Sequence, residues 1–496
     1  MSTPLFVGYI ASFVSAPIVL DAIGLRAFGT WALTGALAQY AGLLDFGVGP
    51  SLTRFVALYD ADGREDLVGE VMAAGVSTSF LICSVLAGAS LIVASPLAHH
   101  LGGISTGDMR ALLLSATSIF LSSTLVNALT AYRIGLREMV APNVIATLGA
   151  ITNFCFSIGA VLASHSVVVY AVANAAASGI TLAATAAYLL LFSRPRAPYR
   201  RPTLATSKTL ISFSVKNQAQ TAATLVNTQT DKLIIALFIG PAAAGAYELA
   251  NRVAAAARSI GVYTGSAMVP TLTAELRGAT PATWADTYER LTRRTTAIAV
   301  PILVLTAALA PLILGAWLGR DPSHSAFVIA ALSLGYIVNT TTGVGFAVCY
   351  AAGYPGIPAK SAVTMAIANI VLTVSLAPLF GIWGVLSGTA LAFTGGSFVQ
   401  VWLLHKRLAI PLARYWRATL PTERLAAVLA APVVACSVLL NDTGRGLQIC
   451  AVCIAGASYL VAYTFLANRS GALPESVTKR LTNHGRLPRI TRGIAP

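Results

Sequence analysis

The sequence is a succession of apolar runs, each about 20 residues long and separated by short spacers, and this spacing admits few folds. Across about 30 Å of hydrocarbon every backbone polar group must pair internally, so each run has to be a helix. The runs lie at 5–20, 29–57, 71–94, 111–132, 140–163, 167–192, 209–239, 243–268, 295–318, 325–350, 359–378, 383–404, 420–440 and 446–467. They predict an all-α, polytopic integral membrane protein of about fourteen transmembrane helices. Of the 496 residues 56% are hydrophobic and 10% charged, against about 25% charged in soluble domains, which leaves no room for a sizeable water-soluble domain. Glycine and proline interrupt the second run at Asp45-Phe46-Gly47-Val48-Gly49-Pro50, predicting a bent or discontinuous helix. The first run follows Met1-Ser2-Thr3-Pro4 without basic residues, so it reads as a spanning helix rather than a cleaved leader.

A net charge of +15 in a soluble protein would suggest nucleic acid, but no nucleic-acid module or aromatic-basic interleaving accompanies it here. The charge is instead sided. Numbering the spacers alternately puts about 25 of the 33 Lys and Arg on the side of Met1 and about four (Arg26, Arg110, Arg320, Arg445) on the other. The positive-inside rule then makes both termini cytoplasmic. A wrong helix count would scramble the bias, so the bias also supports the count.

The chain repeats itself. Gly24, Gly29, Trp31 and Leu33 are matched by Gly240, Gly245, Tyr247 and Leu249; Tyr132 and Gly135 by Tyr350 and Gly353; Asn153 by Asn369. The offsets, 216 to 218 residues, argue for a duplicated six-helix unit. The expected organisation is a six-helix bundle over 1–193, a basic cytoplasmic loop over 194–208, a second six-helix bundle over 209–405, two further helices over 406–467 and a basic tail over 468–496. An even number of helices per half makes the repeats parallel, an arrangement that encloses a central cavity.

Charges inside a membrane need a reason. The seventh run carries Lys216, Gln220, Asn227 and Asp231 at spacings of 4, 7 and 4, on one helical face with Thr224 at its edge, and Lys232 off it. The eighth adds Glu248, Arg252 and Arg258. A water-filled cavity is the expected home of this face; the first half contributes Asp45, Asn127, Asn143 and Asn174. Simpler roles stand beside it: Lys216 can snorkel to the interface, and Glu248 with Arg252 can form a structural i,i+4 pair. An excess of cations (Lys216, Arg252, Arg258) suits an anionic ligand such as phosphate or pyrophosphate, and the amides Gln220 and Asn227 suit sugar hydroxyls.

Nothing points to metal or cofactor chemistry. The six cysteines lie in apolar runs, Cys450 and Cys453 mid-helix with no second pair, and the six histidines sit at run ends or in the tail. No phosphate-binding lysine loop or dinucleotide glycine fingerprint occurs, so no catalytic residue is assigned and the chain is not expected to be an enzyme.

Asp45-Phe46-Gly47 with Thr53-Arg54, Thr230-Asp231-Lys232, Tyr247-Glu248 with Asn251-Arg252, Gly353-Tyr354-Pro355, Asn369-Ile370 and Gly381-Ile382-Trp383-Gly384 together resemble bacterial polysaccharide flippases. These are the O-antigen and exopolysaccharide flippases of the multidrug/oligosaccharidyl-lipid/polysaccharide exporter superfamily. The resemblance runs through nearly the whole chain and departs from the pattern at the missing basic stretch before the first helix. It implies two six-helix bundles with two further helices, residence in the bacterial inner membrane, and translocation of an undecaprenyl-diphosphate-linked oligosaccharide by ion-coupled alternating access. It further implies contact of Lys216, Arg252 and Arg258 with the diphosphate or acidic sugars. Asp231, Glu248 and Asp45 are its candidate ion-coupling carboxylates, and polysaccharide polymerase and chain-length machinery are the partners expected besides membrane lipid. A multidrug or small-molecule antiporter of the same superfamily is the alternative, with a more acidic and aromatic cavity expected. A membrane-embedded glycan polymerase or ligase would need a large extracytoplasmic loop that the spacers do not provide.

Overall fold

The structure is a computed structural model that describes residues 2–41, 48–136, 138, 140–192, 203–266, 272, 280–319, 321 and 325–469. The helices are α1 (Ser2–Ala41), α2 (Val48–Ala61), α3 (Glu65–Leu101), α4 (Thr106–Gly135), α5 (Val140–Ser164), α6 (Val167–Phe192), α7 (Leu204–Phe238) and α8 (Pro241–Ser266). They continue as α9 (Pro281–Ala308), α10 (Ala310–Leu318), α11 (Ser325–Thr341), α12 (Gly343–Ala351), α13 (Gly356–Phe380), α14 (Ile382–Leu408), α15 (Ala413–Leu439) and α16 (Arg445–Arg469). Among the described residues, eleven helices are long and apolar enough to cross a membrane. The protein is an all-helical, multi-pass membrane protein.

The helix ends differ from the apolar runs in several places. The first run and the start of the second form one element, α1, divided at Gly24 alone, whose φ of 78° and ψ of 164° turn the chain within a single residue; the end of the second run lies in α2. The ninth and thirteenth runs begin earlier than hydropathy predicts, at Pro281 and Ala413. Thr280 caps α9 by accepting from the Thr283 amide, with Pro281 in the first turn. Arg290, Arg293 and Arg294, read as spacer residues, therefore ride on α9, as Arg414, Arg417 and Arg424 do on α15. The tenth run is broken at Thr342 into α11 and α12, and the Thr342 carbonyl, which accepts from the Gly345 amide at 2.9 Å, also accepts from the Gln400 amide at 3.1 Å. The interruption expected at Asp45–Pro50 falls largely outside the described residues.

The chain divides into two compact units, Met1–Leu249 with Ala366–Thr389, and Ala250–Met365 with Ala390–Pro496. In the first, α4 packs between α3 and α6, α5 lies on α6 and α1, and α7 rests on α1, α2 and α3. Small residues set the closest approaches. A Cβ on Gly29 would stand 1.7 Å from the Pro241 carbonyl oxygen, and one on Gly245 would stand 2.6 Å from that of Leu25. The equivalent glycines of the two sequence repeats thus cross against each other. Each follows a positive-φ glycine, Gly24 or Gly240, that turns the chain into its helix.

In the second unit α9 packs on α11 and α15, and α10 and α15 on α16, around Val300, Val304, Leu309, Leu312, Ala426 and Val433. Pro301 has no amide to give to the Ala297 carbonyl, and the Tyr463 hydroxyl donates to that oxygen at 3.1 Å. Lipid offers no replacement donor, so this tyrosine ties α16 to the proline turn of α9.

Candidate functional site

The polar centre of the first unit is one turn of α7, Gln229-Thr230-Asp231-Lys232, whose four residues are 8%, 7%, 3% and 8% exposed. Asp231 accepts hydrogen bonds from the Tyr247 hydroxyl of α8 at 2.6 Å and the Thr389 hydroxyl of α14 at 2.9 Å, with the Asn369 amide of α13 at 3.4 Å. Asn369 also donates to Thr389 at 3.1 Å. Backbones come close enough for this because Gly384 and Gly388 face α13: a Cβ on Gly384 would lie 2.1 Å from the Leu376 carbonyl oxygen. The side-chain hydrogen-bond partners of Asp231 among the described residues are neutral. A buried carboxylate with neutral partners is costly to leave ionised without a cation.

Two further oxygens sit at this cluster without a hydrogen-bond partner among the described residues, Asn369 Oδ1 and, one turn along α13 against Gly388, Thr373 Oγ1. Carboxylate, amide and hydroxyl oxygens of this kind suit a proton or a small hard cation, and offer nothing to a soft metal. No group of three or more His, Cys, Asp or Glu able to hold a metal occurs among the described residues.

Beside it, Lys232 Nζ and Glu248 Oε2 form an ion pair at 2.5 Å, with side chains 10% and 13% exposed. On sequence Glu248 is a candidate ion-coupling carboxylate, with a structural i,i+4 pair to Arg252 as the simpler role; Lys232, on α7, is a partner that spacing along one helix does not reveal. Gln229 donates to Gln39 of α1 at 3.1 Å, and the Thr230 hydroxyl bonds to the Tyr40 hydroxyl.

The predicted face of α7 is therefore divided. Asp231 is enclosed, Asn227 is half-buried with an unpartnered Oδ1, and the exposed polar face is made of Thr221, Thr224 and Thr228. Lys216 and Gln220 lie on α7, but their side chains are outside those described, as is the whole of Asp45. Asn127 is exposed, Asn143 half-buried, and Asn174 buried with its amide on the Tyr170 carbonyl.

Arg252 is half-buried on the part of α8 that belongs to the second unit. In that unit Arg258 donates to Asn339 Oδ1 at 2.8 Å, and its guanidinium lies 4.8 Å from the Tyr336 ring centre and 5.2 Å from that of Phe393. Asn339 in turn donates to Ser397 at 3.3 Å, and Tyr336 to Asn251 at 3.2 Å. Aromatic faces and one amide hold the cation in place, and Nε has no partner among the described residues.

Sequence reasoning missed Tyr247, Thr389, Gln39, Tyr40 and Gln229 as site residues, and used Asn369 only as a mark of the repeat and of the family resemblance. The repeat itself holds a further signal. At an offset of 216, Ser15, Trp31, Asn153 and Ala173 stand where the second half has Asp231, Tyr247, Asn369 and Thr389. Ser15 bonds within its own helix to the Ser12 carbonyl, and Trp31 packs edge-on against Tyr170. Among the described residues, the second of the two halves carries the acidic cluster.

The family described as polysaccharide biosynthesis protein matches residues 2–274. No curated protein matches the sequence. Among solved structures, a lipid II flippase MurJ in an inward closed conformation aligns with a TM-score of 0.72 at 13% identity, covering 94% of this chain and 98% of that one. An inward-facing multidrug resistance MATE family transporter of the MOP superfamily gives 0.61 at 12% identity, covering 82% and 97%. The MATE multidrug transporter DinF-BH gives 0.57 at 14%, covering 82% and 93%. The fold is shared with these transporters.

Proposed function

This chain belongs to the polysaccharide biosynthesis protein family, and from that premise we propose that it moves an undecaprenyl-diphosphate-linked oligosaccharide across the bacterial inner membrane by alternating access, for O-antigen or exopolysaccharide biosynthesis. The observation that carries the reading is the family match together with a transporter fold shared with a lipid II flippase over 94% of the chain. Counting α1 as two spans divided at Gly24, and adding α7 and α8 to the eleven, yields about fourteen spans arranged as six, six and two. The sided Lys and Arg support cytoplasmic termini.

In this reading Lys216, Arg252 and Arg258 meet the anionic head, Gln220 and Asn227 meet sugar hydroxyls, and Asp231 is the carboxylate that takes up the coupling ion. Asp231 is preferred to Glu248 because Glu248 already neutralises Lys232. Association with polysaccharide polymerase and chain-length machinery rests on family resemblance alone.

Deleting the gene should strand lipid-linked repeat units on the cytoplasmic leaflet and abolish surface polysaccharide. Asp231→Asn should reproduce the loss with the protein still in the membrane. A deletion that altered drug sensitivity alone would overturn the reading in favour of the antiporter.

A further inference from the structure

The turn of α7 that holds Asp231 is bonded in every direction. Successive helical residues point about 100° apart, so residues 229 to 232 sweep a full circle. Asp231 and Lys232 are held by α8, α13 and α14, all from the second repeat. Gln229 and Thr230 are held by Gln39 and Tyr40 in the last turn of α1, from the first repeat. These two bonds join residues 190 apart in the chain. Gln229 and Thr230 are buried and have given up water, whereas Gln39 is exposed and Tyr40 half-buried, so it is the α7 groups that must keep or replace these bonds rather than let them go.

Both sides of the turn hold unused hydrogen-bonding capacity. Asn369 Oδ1 on the carboxylate side and Gln229 Oε1 on the α1 side are buried without partners among the described residues. A network with spare acceptors has more than one arrangement of similar energy, which is what a coupling element needs. A change at Asp231 alters the hold of Tyr247, Thr389 and Asn369 on the turn. Packed helices answer by discrete shifts rather than smooth deformation, so the bonds one residue earlier must shift with it.

We propose that Gln39 and Tyr40, gripped by Gln229 and Thr230, are positioning residues that carry a change of charge at Asp231 from the second repeat to the first. The proposal rests on the reading of Asp231 as the coupling carboxylate.

Amide hydrogen exchange of the full chain in lipid nanodiscs tests it without knowledge of the ion, because Asp231→Asn removes the charge outright. In the wild-type background this substitution should change exchange about fivefold both in residues 227–235 and in residues 34–40 of α1. In the Gln39→Leu/Tyr40→Phe background the same substitution should still change 227–235 but leave 34–40 alone. Tyr40→Phe by itself keeps the ring and should weaken the α1 response in the same direction, and it decides the matter if the double variant does not fold. An α1 response that is absent in the wild-type background, or undiminished once the link is removed, overturns the proposal. The coupling reading fails separately, if Asp231→Asn transports normally while the exchange pattern stands.

Discussion

The crossing of α1 and α8 at Gly29 and Gly245 makes a quantitative prediction. A methyl on Gly29 would place its carbon 1.7 Å from the Pro241 carbonyl oxygen and 2.7 Å from the Gly245 nitrogen. An ordinary carbon–oxygen contact is about 3.3 Å, so Gly29→Ala must part the two helices by about 1.5 Å. Both obstacles are backbone and cannot rotate away. Overpacking of this kind costs about 1–3 kcal/mol, which corresponds to a fall in Tm of about 2–5 °C for a unit of about 270 residues. Gly35 supplies the control, since it lies on the same helix and a methyl there would meet no atom within 4 Å. Gly35→Ala should be neutral or stabilising by up to about 1 kcal/mol through helix propensity. Gly245→Ala, with its nearest obstacle at 2.6 Å, should lie between. Once the helices have parted for one methyl the second meets less resistance, so the double variant should cost less than the sum. Thermal unfolding of the purified protein, followed by tryptophan fluorescence, ranks the four proteins. Gly29→Ala melting together with Gly35→Ala would refute the close crossing.

Three further outcomes follow from the packing. Tyr463→Phe should cost about 1–2 kcal/mol by orphaning the Ala297 carbonyl, and much less in a Pro301→Ala background, where the helix supplies its own donor; melting of the four proteins closes the cycle. Lys232→Met or Glu248→Gln alone should lower stability by about 3–5 kcal/mol, whereas the double substitution should recover most of the loss; equal melting of singles and double would contradict a buried pair. Arg258→Lys should not restore transport lost in Arg258→Ala, because an ammonium cannot present a planar face to Tyr336 and Phe393 while reaching Asn339; surface polysaccharide in complemented cells reports it.

Much of the fold was readable in advance because lipid imposes one rule on every spanning segment. The apolar runs mark the helices, and the Gly24 and Gly240 motifs mark their turns. Helix starts at Pro281 and Ala413 were missed because hydropathy registers where lipid begins, whereas a helix ends where its backbone ladder does. The site was half legible. Charge on the seventh and eighth runs pointed to Asp231, Lys232 and Glu248. Their partners did not show, because which residue Lys232 meets depends on how α7 and α8 are rotated about their axes. Local spacing offers only Arg252 as a neighbour for Glu248 and says nothing of a residue on another helix. Tyr247, Asn369 and Thr389 were hidden for a different reason: single neutral polar residues are common in spanning helices, and only convergence on one carboxylate distinguishes these three.

The first repeat has Ser15 and Trp31 where the second has Asp231 and Tyr247. With Asp231 as the coupling group, this asymmetry is also a statement about driving force. Among the described residues there is one such carboxylate, which in that reading lets one elementary charge accompany each cycle, and one charge falling through 100 mV releases about 2.3 kcal/mol. That is enough to sustain about a fifty-fold difference in substrate between the two leaflets at that voltage. A chain with the acidic cluster in both repeats would square the ratio, at the cost of drawing twice the current. In that reading the serine at position 15, standing where a second carboxylate would be, limits how steep a gradient is worked against before transport stalls.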